Sequence, residues 1–192
     1  MKYGLMQDYP LTLKMLCERM ESQYPDKTVT TRRDGAFFTA SYRTIVGRAR
    51  QLAGALAQAG VEAGDCVSTL MWNCQEHLEA YLAVPCMGAV LHTLNARLPG
   101  ESMTRLLSDV MPVVVIVDES LYAVLAGARL PASVRLIVVV RGPGDGRAVR
   151  QAVGQAVVGQ GGTSAAADAS VEAAMPDAAM QPVAAREPGA AR

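Results

Sequence analysis

VVVIVDESLYAVLAGARLPASVRLIVVV, residues 113–140, decides the architecture. Two aliphatic runs, Val113–Val117 and Leu136–Val140, flank one helical pattern at Leu121–Ala128. A strand with one wet face alternates apolar and polar residues, whereas an unbroken Val/Ile run fits a strand covered on both faces. Strands of this kind joined through a single helix are parallel, because antiparallel neighbours need only a tight turn. The expectation is an α/β fold: a partial parallel or mixed sheet with flanking helices.

The same alternation continues upstream. Glu101–Val110 predicts a helix and Ala89–Thr93 a strand. Before them a helix begins near Gln75 and meets Pro85, which lacks an N–H and kinks or ends it. Cys66–Trp72 reads as a strand entered through a Gly64-Asp65 turn. Ile45, Ala49, Leu52 and Leu56 form one helical stripe, capped by Ser41 and stopped at Gly60 in the left-handed conformation that glycine adopts cheaply. Thr28–Thr31 and Phe37–Thr39 flank Asp34-Gly35, a hairpin signal.

Downstream the composition changes at one point. The 51 residues 142–192 contain no Leu, Ile, Phe, Tyr, Trp, Lys or Cys, while 15 are Ala and eight are Gly. Such a segment buries too little apolar surface to offset backbone ordering, about 1–2 kcal/mol per residue. Residues 142–192 are therefore expected to form a disordered, low-complexity tail, with a nascent helix over Arg147–Val158, where Val149, Val153 and Val157 recur. Residues 1–141 form the folded domain.

Composition narrows the function classes. The 192 residues carry 18 basic and 18 acidic side chains, a net charge of zero, so nothing pulls the chain toward nucleic acid or anionic lipid at long range. No apolar run approaches the roughly 18 residues of a membrane span. Asp8 and Pro10 interrupt the place where a signal peptide would be apolar, so a cytoplasmic location is expected. Cys17, Cys66, Cys74 and Cys86 show no paired spacing and read as free thiols in a reducing compartment.

Several constellations imitate chemistry. His77-Leu78-Glu79 followed by Pro85-Cys86 approaches the zinc-deaminase pattern, but its last ligand position holds Ala89. Cys74, His77, Cys86 and His92 offer metal-ligating atoms, but only Cys74 and His77 share a helical spacing, and packing accounts for them better. Gly142-Pro143-Gly144-Asp145-Gly146 follows a strand like a dinucleotide loop, yet Arg147 stands at the third glycine position and Pro143 has no N–H for a phosphate. Gly154–Ser164 has the glycines and hydroxyls of a phosphate loop but no Lys; the last Lys of the chain is Lys27. No residue is assigned a catalytic, cofactor-binding or metal-binding role.

The stretch GVEAGDCVSTLMWNCQEHLEAYLAVPCMGAVLHTLNARLPGE, residues 60–101, resembles the N-terminal region of the AMP-forming acyl-CoA synthetases of the adenylate-forming superfamily. Gly64-Asp65, Val67, Asn73 with Glu76, Ala80, Ala83, Gly88-Ala89-Val90, Leu94-Asn95 and Arg97-Leu98 carry the likeness. Ser41-Tyr42 before them and VVVIVDES after them fit as well. The wording of Met71–Leu98 is most similar to medium- and long-chain fatty-acyl ligases, including those acting on methylthio-propionate. The likeness runs from about Asp8 to about Arg141.

The resemblance implies the N-terminal portion of the adenylate-forming large domain. For full-length members it also implies a two-step reaction: ATP and a fatty acid give an acyl-adenylate and pyrophosphate, and coenzyme A then takes the acyl group. Magnesium accompanies the ATP. The family's Lys-ended phosphate loop and its catalytic Lys lie downstream of the matched region. Thr44, where Glu commonly completes the capping box, and Cys66, where a basic residue is usual, are departures. Trp72, Tyr81 and Gly88-Ala89 are expected to pack, Asn95-Ala96-Arg97 to shape a loop, and His92 to pack at a strand end in preference to lining an acyl pocket.

The expectation is a truncated fatty-acyl-CoA ligase, inactive alone, with a tail of the kind a shifted reading frame in a GC-rich gene produces. The alternatives are a non-catalytic α/β interaction module that pairs with a separately encoded partner or with itself through uncovered sheet, and a small nucleotide-binding protein.

Overall fold

The computed structural model describes residues 11–141 and the backbone of 149–152. Its elements are α1 (Leu13–Gln23), β1 (Thr28–Arg33), β2 (Ala36–Ser41), α2 (Tyr42–Gln58), β3 (Cys66–Leu70), α3 (Gln75–Cys86), β4 (Val90–Thr93), α4 (Gly100–Val110), β5 (Val114–Asp118), α5 (Tyr122–Ala126), β6 (Leu136–Val140) and β7 (Val149–Ala152). β1 and β2 form an antiparallel hairpin, with Arg33 opposite Ala36 across the Asp34-Gly35 turn. The other five strands form one sheet in the order β4-β3-β5-β6-β7. The expected parallel sheet is present: β4, β3, β5 and β6 all run parallel.

Strand alternation divides the core. Val114 and Ile116 of β5 pack on one face with Val67, Ala80 and Val84, so α3 covers that side. Val115 and Val117 point to the other face, against Met103, Leu107 and Leu125 of α4 and α5. All five β5 residues are buried, as a strand covered on both sides requires. A third cluster, including Met20, Ile45, Val46 and Leu82, joins α1, α2 and α3.

The helix boundaries follow local chemistry. Ser41 Oγ accepts from the Thr44 N–H at 3.2 Å at the start of α2. α2 and α3 end in the same way. The amide of Gly60 donates to Ala57 O and that of Val61 to Leu56 O, while Gly88 donates to Pro85 O and Ala89 to Val84 O. Gly60 and Gly88 have φ of 81° and 87°, the left-handed geometry this double bond requires. Pro85 falls in the last turn of α3, which stops one residue later.

Three expectations need correction, and one element was not expected. Val149–Ala152 is not helical: it is the strand β7, antiparallel to β6, so the sheet continues beyond the composition boundary at Gly142. The remainder of the tail lies outside the described residues. The helix expected over Leu121–Ala128 is shorter, spanning Tyr122–Ala126, and a 3-10 turn over Glu119–Leu121 leads into it. Trp72 and Tyr81, expected to pack, are 51% and 43% exposed, although the Tyr81 ring does lie 4.9 Å from that of His77. Finally, α1 occupies a segment to which the sequence reading assigns no element. No helix among the described residues is long and apolar enough to cross a membrane.

Candidate functional site

β3 connects through α3 to β4 on one side, while β5 connects through α5 to β6 on the other. Where connections leave in opposite directions, a crevice opens outside the carboxyl ends of the two strands. Here it lies beyond Leu70 of β3 and Asp118 of β5, and polar side chains fill it.

Asp118 closes β5 and is fully buried. Its Oδ1 accepts from the Ser120 amide at 3.0 Å and the Ser120 hydroxyl at 2.6 Å. Its Oδ2 accepts from Arg33 Nη2, at the end of β1. The indole N–H of Trp72 donates to Ser120 Oγ at 2.9 Å. One chain of hydrogen bonds thus crosses the crevice from the β3 side through β5 to the hairpin. Arg33 Nη1 is buried without a partner.

His77 stands on the β3 side. One ring nitrogen, Nδ1, lies 3.2 Å from Trp72 O, and a carbonyl only accepts, so Nδ1 carries the proton. Nε2 therefore accepts from Thr69 Oγ1 at 3.0 Å. Burial holds the His77 pKa below its ordinary value, opposed by the Trp72 carbonyl. A neutral ring with both nitrogens engaged is a packing histidine. His92 sits opposite Ser68 in the β3–β4 register, its Nδ1 2.9 Å from Ser68 Oγ, and burial lowers its pKa too.

The metal-ligand residues considered from the sequence do not converge. Cys74 caps α3, where burial pushes its thiol up to about 12. Cys86 lies at the far end of the same helix and faces Cys17 instead. No group of three His, Cys, Asp or Glu among the described residues is placed to hold a metal ion. Gly142–Gly146 and Gly154–Ser164 lie outside the described residues.

Glu79, named in the sequence only as part of the zinc-deaminase-like pattern, has a different setting. It is buried between α2 and α3, bonded to Gln75 Nε2 at 2.7 Å and 3.9 Å from Arg48 Nη1. Burial pushes its carboxyl up to about 7, with Gln75 and Arg48 opposing. A carboxyl titrating there has the range of a general acid or base, but it faces a helix interface, away from the strand ends. Asn95 does shape its loop, its Oδ1 accepting from the Arg97 amide at 2.9 Å.

The crevice does not fit a nucleoside triphosphate. Arg33 is committed to Asp118, whose charge would oppose a phosphate, and the crevice polar groups largely satisfy one another. What the arrangement does is fasten the hairpin to the sheet.

The family model described as AMP-binding enzyme matches residues 17–184. A long-chain-fatty-acid–CoA ligase of Thermus thermophilus is 38% identical over 125 residues, 65% of this chain and 23% of its own length. A 3-methylmercaptopropionyl-CoA ligase of Ruegeria lacuscaerulensis is 29% identical over 153 residues, 79% of this chain and 28% of its own. A crystal structure of a protein assigned as a long-chain-fatty-acid CoA ligase, from Rhodopseudomonas palustris, superposes with a TM-score of 0.61 at 31% identity, covering 72% of this chain and 34% of the other. The chain therefore spans about a quarter of the length of these curated relatives. With the family model matched over most of its residues and the parallel α/β fold shared, this chain belongs to the AMP-binding enzymes and corresponds to the N-terminal region of the AMP-forming acyl-CoA synthetases.

Proposed function

We propose that these residues are the N-terminal part of the large domain of a fatty-acyl-CoA ligase. The reaction of that enzyme joins ATP, a fatty acid and coenzyme A to give acyl-CoA, AMP and pyrophosphate. The observation that carries the reading is the 38% identity to a fatty-acyl ligase through 125 residues, supported by the parallel sheet and its switch point. We further propose that the 192-residue chain forms no acyl-adenylate by itself. Its last Lys is Lys27, so it carries neither the Lys-ended phosphate loop nor the catalytic Lys that the resemblance implies for full-length members, and those are the fixed cations that meet the charge developing on a triphosphate.

Two assays separate these parts. ATP–pyrophosphate exchange with octanoate on the chain alone is expected to stay at background; exchange above background overturns the proposed inactivity. Grafting residues 17–141 in place of the matching segment of the Thermus relative is expected to keep fatty-acyl-CoA synthesis. A folded graft that adenylates no fatty acid overturns the ligase reading.

A further inference from the structure

The sulfurs of Cys17 and Cys86 lie 3.8 Å apart although the residues are 69 positions apart in sequence. Cys17 is in α1 and half-buried; Cys86 is the last residue of α3 and exposed. Both helices contribute to one apolar cluster, Met20 from α1 and Leu82 and Ala83 from α3, which fixes the approach. A disulfide has an S–S length of about 2.05 Å, so the sulfurs must close by about 1.8 Å. Cysteine side chains move between staggered χ1 rotamers, and the exposed Cys86 is the one with room to do so.

We propose that Cys17 and Cys86 are a dithiol modification site, oxidised by a low-molecular-weight disulfide to an intramolecular bond that clamps α1 onto α3. The exposed Cys86 reacts first. Its thiolate attacks one sulfur of oxidised glutathione, forming a mixed disulfide and releasing one glutathione thiolate. Cys17 then loses its proton and attacks the Cys86 sulfur, forming the internal bond and releasing the second glutathione. Two protein thiols are oxidised, one glutathione disulfide is reduced to two thiols, and the balance closes.

The order of attack follows from the surroundings. Burial and the neighbouring Cys86 push the Cys17 thiol up to about 11, against Arg50, which leaves the exposed Cys86 as the thiol that meets the oxidant first. Cys74, the residue before α3, is about 18 Å away along the helix axis and is pushed up to about 12 by burial. The fold therefore selects one pair from four thiols.

The test treats the full 192-residue chain with oxidised glutathione and maps its peptides without reduction. A Cys17–Cys86 linked peptide is expected, with titratable thiols falling from the four free cysteines to two. Urea in the reaction should abolish the selectivity, and Cys86→Ser should remove the link. Amide exchange across α1 should slow about tenfold in the oxidised protein. Glutathione retained on Cys86, four unreacted thiols, or a link through Cys66 or Cys74 would overturn the site. Unchanged exchange in α1 after the link forms would overturn the clamp. The mapping uses the unmutated chain, so an unstable variant does not blunt it, and inactivity of the grafted ligase would leave this result untouched.

Discussion

Asp118→Ala should be the most damaging single substitution in the described region. Asp118 is fully buried and receives three donors: Arg33 Nη2, the Ser120 amide and the Ser120 hydroxyl. Its removal leaves the Arg33 guanidinium, whose side chain is 17% exposed, without a counter-charge. Breaking a buried ion pair from one side costs about 3–5 kcal/mol, and orphaning the Ser120 amide adds about 1 kcal/mol. A domain has only about 5–15 kcal/mol in total, so the variant should sit near the unfolding threshold. Asp118→Asn retains an acceptor for Ser120 and should lose less.

Urea unfolding followed by far-UV circular dichroism measures the difference. Arg33→Met is expected to be damaging for the mirror reason, since it strands the Asp118 carboxylate with Ser120 alone. The double variant Arg33→Met/Asp118→Leu removes both charges and should recover at least about 2 kcal/mol relative to the sum of the singles. If either single variant costs less than about 1 kcal/mol, or the two losses simply add, the pair does not join the hairpin to the sheet as argued.

Glu79→Gln should stabilise the chain in a pH-dependent way. The native carboxyl is raised from 4.5 to about 7, so native protein holds a proton that unfolded protein releases between those values; wild-type stability falls across that window, and the Gln variant should gain up to about 3 kcal/mol, flat above pH 7 and vanishing below 4.5. His77 and His92 have lowered values and the opposite sign, losing stability as pH falls below 6.5, and they cancel in the comparison of the two proteins. Gly88→Ala meets both a φ of 87° and an Ala63 Cβ at 3.2 Å; thermal melting should show a loss of about 1–2 kcal/mol. β4 is an edge of the sheet, with Val90 53% exposed; sedimentation should detect concentration-dependent self-association, and Val90→Lys should suppress it if the edge is responsible.

The elements legible in the sequence are those whose cause is local or periodic. VVVIV at 113–117 has no polar residue to give a wet face, and the structure buries β5 on both. Ser41 and Gly60 bound α2 because a cap and a left-handed stop are properties of single residues. The elements that escaped depend on partners. α1 carries Cys17 and Met20 on its inner face, but Met20 is its one buried residue, and that stripe is too thin to stand out without α2 and α3 beside it. β7 has no aliphatic run; pairing with β6 makes Val149–Ala152 a strand. Trp72 is named for its bulk, yet its indole N–H is directed by Ser120, 48 residues away.

The Arg33–Asp118 pair spans 85 residues, and no spacing rule reaches that far. A signal was nonetheless present. Asp118 directly follows an aliphatic run that must be buried, and a buried carboxylate requires a counter-charge or several donors. That argument predicts a partner without naming it. The Cys17–Cys86 contact had no such signal, because two thiols at arbitrary separation carry neither charge nor period.

The placement of polar groups bears on the proposed division of labour. In an open α/β sheet the strand ends at the switch point are where ligand chemistry is usually found. Here Asp118, Ser120, Arg33 and Trp72 bond one another, and His77 spends both nitrogens on Thr69 and Trp72. A group engaged in a buried bond can meet a ligand only after breaking it, at about 1–3 kcal/mol for each group stranded. For substrate to bind at this crevice it would have to disrupt several such bonds together and bring a partner for the Asp118 charge. The carboxylate makes an anionic substrate the worst candidate, and both ATP and a fatty acid are anions. Under the proposed function, then, the residues around Asp118 act as a joint that holds hairpin and sheet rigid, and acid activation must draw its cations from elsewhere in the ligase. Retaining adenylation in the Thermus graft while carrying Arg33→Met/Asp118→Leu would be the direct sign of such a joint; loss of adenylation from a graft that remains folded would place the pair in the chemistry instead.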